Sequence, residues 1–192
     1  MLSVHEQTIQ ERILGTRPVL RAVTPKELFL ALKSALLKAN GSDLFRTSQD
    51  GIYKWVQLDP KDDCNEPAPP NAGPHVILGG VKDFRREAKN AHLIRNDGAW
   101  IHFTITVEWD GKSSLELIAY DFEIVFPEGH SPKFVRIDLN KPGHENESRE
   151  LRSHIHVGND DLLLPAPLMT PEEILHLLVH GLRPRNVDKP RT

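Results

Sequence analysis

From Trp100 to Trp109 the chain alternates without a break. Ile101, Phe103, Ile105, Val107 and Trp109 share one parity, and Trp100, His102, Thr104, Thr106 and Glu108 share the other. A period of two is the side-chain repeat of a β-strand, so this run predicts a strand with one apolar and one largely polar face. Three more runs follow the same rule. Ser113 to Phe126 sets Ile118, Tyr120, Phe122, Ile124 and Phe126 against Asp121 and Glu123. Lys133 to Leu139 sets Val135, Ile137 and Leu139 against Phe134, Arg136 and Asp138. Leu151 to Val157 sets Leu151, Ile155 and Val157 against Arg152, His154 and His156. The connections are Asp110-Gly111, a turn at Pro127 to Pro132 and an eleven-residue loop from Asn140 to Glu150. Strands joined that way pair as antiparallel neighbours. The expectation is an antiparallel meander of four strands or more.

Helices should cover its apolar face. Thr24-Pro25-Lys26-Glu27 and Thr170-Pro171-Glu172-Glu173 are both capping boxes with proline at the first helical position. Leu28, Leu32, Ala35, Leu36 and Ala39 continue the first at helical spacing until Asn40-Gly41. Ile174, Leu177, Leu178 and Leu182 continue the second, with Gly181 near its end. A shorter helix is predicted from Glu6 to Leu14, and a further strand from Ile52 to Leu58. The fold class is α+β in two layers. Residues 1–58 hold the N-terminal helices and first strand, and 59–75 form a Pro-rich loop containing Cys64. Residues 76–182 hold the sheet and last helix, in one domain with the N-terminal part, and 183–192 are a basic tail.

Composition excludes several classes. A single cysteine cannot build a disulfide framework or a cysteine zinc cage. A net charge of −3 argues against a surface that wraps nucleic acid all round. No apolar run reaches the ~20 residues that span a bilayer, and the N-terminus lacks signal-peptide features. A cytoplasmic protein without a membrane partner is expected. Walker, dinucleotide-binding and Gly-x-Ser-x-Gly motifs are absent from the sequence, and no cofactor is expected.

The polar sheet face carries the chemistry. A two-residue turn at Asp110-Gly111 would pair Trp109 with Lys112, hence Thr104 with Leu117 and Trp100 with Asp121. Phe126 opposite Lys133 sets Glu123 against Arg136 and Asp121 against Asp138. Symmetric closure of Asn140 to Glu150 sets Arg136 against His154 and Asp138 against Arg152. Facing residues then lie ~5 Å apart. His154 and His156 are acid–base candidates, Arg136 and Arg152 phosphate contacts, and Asp138 or Glu123 the orienting carboxylate. The bland alternative is a solvated face of cross-strand charge pairs. Metal binding by His154-x-His156, with His144 or Asp160 and Asp161, is a weaker alternative, and the site is expected to hold no metal. His102-Phe103-Thr104 resembles half of a two-motif phosphoesterase, but its strand stands three strand spacings from His154. The basic stretch Lys82 to Arg95, with Arg85, Arg86 and neighbouring Trp100, could guide an RNA backbone, and His144 could join the substrate site. His176 and His180 on the last helix are expected to be solvated surface.

Phe134-Val135-Arg136-Ile137-Asp138, Asn140-Lys141-Pro142-Gly143-His144, His154-Ile155-His156 and Thr170-Pro171-Glu172-Glu173-Ile174-Leu175 occur in that order. This segment, about Leu117 to Leu182, resembles the TumE family of bacterial toxins. Leu139 stands where that family tends to place Asn, and Arg152-Ser153 replace a Pro-His pair. The resemblance implies a toxin-like component of a toxin–antitoxin or defence module, a partner antitoxin and an RNA-directed, ribonuclease-like activity. The rival expectation is a non-catalytic, protein-binding subunit of a defence or regulatory complex.

Overall fold

The computed structural model describes residues 20–59, 73–83, 85–144 and 151–182. The predicted helix Glu6 to Leu14, most of the Pro-rich loop with Cys64, and the basic tail lie outside the described residues.

The architecture is α+β, with an antiparallel sheet of eight strands. Helix α1 is Pro25–Gly41 and α2 is Gln49–Trp55. The strands are β1 Val56–Leu58, β2 Gly73–Gly79, β3 Leu93–Ile94, β4 Trp100–Trp109 and β5 Leu115–Val125. After them come β6 Phe134–Leu139, β7 Ser153–Val157 and β8 Leu163–Pro165. Helix α3, Pro171–His176, runs on into a π turn at Leu177–Gly181. The order is β1-β2-β4-β5-β6-β7-β8, with β3 also paired to β4. No described helix is long and apolar enough to cross a membrane.

Both capping boxes form. The Thr24 hydroxyl accepts from the Glu27 N–H at 3.1 Å, and the Thr170 hydroxyl from that of Glu173 at 3.2 Å. The Glu173 carboxylate closes the second box on the Thr170 N–H at 2.8 Å. Leu28, Leu32 and Leu36 of α1 and Ile174, Leu175 and Leu178 of the last helix are buried. They share one core with Ile77, Phe103, Ile105, Phe122, Ile124 and Ile137 from the sheet. Both helices therefore cover the same apolar sheet face, and the other face is left for chemistry.

Two predicted boundaries move. Ile52 to Leu58 is not one strand: Gln49–Trp55 is helical and only Val56–Leu58 is extended. The Ser48 hydroxyl, accepting from the Gly51 N–H at 3.2 Å, starts a helical turn that overrides the aromatic and β-branched run. The Pro-rich loop also stops short of His75, because β2 already begins at Gly73. Asp59 binds His75 Nδ1 at 2.6 Å and the Val76 N–H at 2.7 Å. Pro74 is tolerated because it lies beyond the last β1 pair, Leu58 with Ile77.

Register decides what meets on the polar face. Glu123 faces Arg136 and Asp121 faces Asp138, as predicted. The β4–β5 turn is longer than two residues, since one Asp110 oxygen gathers the N–H groups of Lys112, Ser113 and Ser114. Trp109 consequently faces Leu115, not Lys112, and a bulge between Thr106 and Val107 adds one more step. Thr104 then faces Asp121 and Trp100 faces Val125. The bulge also switches parity on β5: Leu115 and Leu117 pack on the core alongside Tyr120 and Phe122. Between β6 and β7 the loop closes asymmetrically, so Arg136 faces His156 and Asp138 faces His154. That displaces the predicted pairs by two residues, which preserves the face.

Candidate functional site

The face turned away from the helices carries Asp121 and Glu123 on β5, Arg136 and Asp138 on β6, and His154 and His156 on β7. A cleft of about 740 Å³ opens over it, with Lys82, Lys141, His144, Asp160 and Asp161 among its walls. Asp138, His154 and His156 are nonetheless buried, as is Glu123. Burying this many ionisable groups is costly unless each is paired, so the pairing defines the site.

Asp138 is its hub. Its Oδ2 accepts from Arg136 Nε at 2.8 Å and lies 3.2 Å from His156 Nε2 and 3.5 Å from His154 Nε2. The two imidazole Nε2 atoms are themselves 3.1 Å apart. His154 Nδ1 is 2.8 Å from the Leu151 carbonyl, which can only accept, so this nitrogen carries the proton. The His154 Nε2 lone pair therefore points at the cluster. Asp138 Oδ1 and His156 Nδ1 are buried without a hydrogen-bond partner. Burial opposes ionisation of Asp138, but the contacts with the His154 and His156 imidazoles and the Arg136 guanidinium prevail and hold its carboxyl well below the usual range.

A second layer of ion pairs surrounds the hub. Arg86, in the left-handed region at φ 54°, reaches Glu123 with two hydrogen bonds of 3.0 Å and also binds Asp160. Its guanidinium lies 3.6 Å above the Phe134 ring. Arg136 Nη1 donates to Asp160 at 2.6 Å, and Lys82 binds Asp121. Burial raises the Glu123 carboxyl against the opposing pull of Arg86. Burial and the Asp138 charge likewise raise Asp121. His102 on β4 is buried without a partner for Nε2, and burial with the nearby cations lowers it to about 4.

The structure thus gathers His154, His156, Arg136, Asp138 and Glu123 in one cluster, and it separates several other residues predicted to act there. Arg152 donates to the carbonyls of Asn140 at 2.9 Å and Ile118 at 2.8 Å, so it braces the β5–β7 edge and is spent as a phosphate contact. Trp100 is buried against Val125 and Phe134 and offers no stacking surface, because its parity mates on β5 and β6 are apolar. His144 is exposed on the cleft wall. Arg85 is exposed but does not line the cleft, and Arg86 is committed to its two carboxylates. Arg95, at the end of the basic stretch, is buried and donates to the carbonyls of Leu178 and Leu182. The stretch is therefore not one continuous guide for a nucleic-acid backbone. Asp160 enters as an ion-pair partner of both arginines, a role no local sequence signal announces. His102 stands three strands from His154, as the strand order requires.

Geometry bears on the chemistry as well. A general acid and a general base must stand either side of the reacting phosphate. Nε2 atoms 3.1 Å apart leave no room for one between them. The three donor atoms instead converge on one point. No family model matches the chain, and no curated protein or solved structure matches it.

Proposed function

We propose that this chain is a toxin-like component of a toxin–antitoxin or defence module whose sheet cleft acts on the phosphodiester backbone of RNA. The observation that supports this most is the buried Asp138–His154–His156 cluster, held by Arg136 at the floor of an open cleft. A fold retains such groups at a cost in stability, and perturbed ionisable clusters in clefts mark functional sites. Lys141 on the cleft wall suits an anionic substrate, and the ordered resemblance to TumE toxins supplies the RNA and the antitoxin partner. The test is growth inhibition and RNA cleavage by His154→Ala, His156→Ala and Arg136→Ala, each read beside its melting temperature. Loss of activity in variants that stay folded is expected. Full activity in all three refutes the reading.

A protein-binding subunit is the second reading. It is favoured by the far edge of the described sheet, where β8 carries exposed Leu164 with exposed Leu162 just before it. Leu164→Asp would then abolish partner capture, while the three polar-face variants keep it.

A further inference from the structure

We propose that Asp138, His154 and His156 are the three protein ligands of a divalent transition-metal ion whose remaining coordination positions open into the cleft. The inference names the cofactor of the site read above as catalytic, and it rests on that reading only for the substrate.

Ligand spacing is the first argument. Donors at the 2.0–2.2 Å typical of zinc–nitrogen and zinc–oxygen bonds stand about 3.0 Å apart at right angles and about 3.4 Å apart at tetrahedral angles. The three separations here are 3.1, 3.2 and 3.5 Å. Three mutually adjacent donors, two imidazoles and one carboxylate, form one face of a coordination polyhedron.

Proton bookkeeping is the second. His154 carries its proton on Nδ1, toward the Leu151 carbonyl, so its Nε2 is a bare lone pair. Asp138 is an ionised acceptor. The Nε2 proton that His156 can supply goes to one of these two acceptors; given to Asp138, whose Oδ2 already accepts from Arg136, it leaves the His154 lone pair without a donor in a buried site. A cation serves all three at once. The carbonyl behind His154 is also the outer partner that metal-bound histidines ordinarily have, and Arg136 orients the carboxylate in the same way. Asp138 Oδ1, buried and without a partner, leaves the carboxylate a second oxygen to offer.

Charge is the third. Around the hub the cations Lys82, Arg86 and Arg136 face the carboxylates Asp121, Glu123, Asp138 and Asp160, one negative charge in excess with the imidazoles counted neutral. A divalent ion reverses that sign and makes the cleft floor attractive to an anion. Imidazole-rich donors select zinc, copper, iron or nickel over magnesium and calcium. The ion would bring a Lewis acid and a bound water of lowered pKa to the cleft.

The experiment uses the full chain, stripped with a chelator and titrated with Zn²⁺ alone by calorimetry and by melting temperature. One ion per chain and a raised melting temperature are expected, with no response to Mg²⁺. His154→Ala and His156→Ala should each weaken Zn²⁺ binding by more than the ~10–100-fold that losing an outer partner costs. His176→Ala, which removes half of the exposed His176–His180 pair on the last helix, should change nothing. Nitrogen-detected NMR of the wild-type imidazoles needs no variant. On adding Zn²⁺ the Nε2 resonances of His154 and His156 should shift together, while His154 keeps its Nδ1 proton and the His156 proton moves from Nε2 to Nδ1. Absence of stoichiometric binding, binding that survives both histidine variants, or binding lost with His176→Ala overturns the proposal. RNA cleavage that persists in chelator overturns the metal's role but leaves the proposed function standing. Zn²⁺ binding at these residues without cleavage does the reverse.

Discussion

Replacing Asp138 by asparagine keeps the shape of the hub and removes its charge. Arg136 then loses its 2.8 Å carboxylate partner in a place where its side chain is only 13% exposed. Breaking a buried ion pair by deleting one partner costs about 3–5 kcal/mol, and the 2.6 Å contact that Arg136 keeps to Asp160 puts the cost near the low end, about 3 kcal/mol. In a domain of this size that lowers the melting temperature by about 6–12 °C. The assay is urea unfolding of both chains in chelator from pH 7 to pH 3. Asp138 is held below its ordinary value of 3.8 in the fold, so as pH falls the unfolded chain takes up the proton first. Its stabilisation is therefore complete at neutral pH. It starts to fade below about pH 5 and is lost as the folded carboxyl finally protonates. The gap between wild type and Asp138→Asn should narrow across that window. Glu123 is shifted the opposite way in both chains and cancels in the difference. Asp121, raised partly by the Asp138 charge, relaxes in the variant and trims the gap at neutral pH. A gap that stays constant from pH 7 to pH 3, or that is absent at pH 7, refutes the buried ion-pair account.

Other parts of the molecule yield direct expectations. A Cβ on Gly79 would come within 2.1 Å of the Phe103 ring, so Gly79→Ala should cost about 1–3 kcal/mol by urea unfolding, and Phe103→Leu in the same chain should restore part of it. Arg95→Ala strands the carbonyls of Leu178 and Leu182 and the Asp97 carboxylate; a melting temperature lowered by at least about 6 °C is expected, with the π turn losing hydrogen-exchange protection. His102 is lowered to about 4 in the fold from 6.5, so the unfolded chain protonates it first and its stabilisation fades as pH falls from about 6.5 to about 4. NMR should show its ring neutral at pH 6, and His102→Gln should flatten that part of the stability profile.

The sheet was legible because its signal is periodic and repeated. Four alternating runs joined by turns admit few arrangements, and the helix starts carry their own caps at Thr24 and Thr170. What failed was local and concerned length. Seven residues from Ile52 to Leu58 look like one strand in composition, yet a single serine cap at position 48 divides them between helix and strand. Asp110-Gly111 looks like a two-residue turn, yet the Asp110 carboxylate gathers three N–H groups and makes it longer. Neither outcome follows from pattern, since both depend on a side chain closing a ring with the backbone. Trp100 and Arg95 failed for a related reason: an amphipathic residue next to a polar run is as compatible with burial as with exposure.

The site's membership survived these errors because a strand has only two faces. The β6–β7 prediction was displaced by two residues and the β4–β5 prediction by four at Thr104, and even displacements leave the site's side chains on their own face; only the β5 residues before the bulge, such as Leu115 and Leu117, change face. The bulge at Thr106/Val107 is what makes the second displacement even. Without that extra residue the three-residue slip at Trp109 would carry through, and Asp121 and Glu123 would lie on the face opposite His102 and Thr104. Distances within the face were a different matter. Register alone decides that His154 lies across from Asp138 rather than from Arg136, and that difference brings the two imidazoles and the carboxylate to one point instead of setting Arg152 across from Asp138. The contribution of Asp160 follows only from the turn after β7 folding back over the sheet to reach Arg86 and Arg136. Which residues share the face is therefore written in parity. What they do together is written in the loops that set the register.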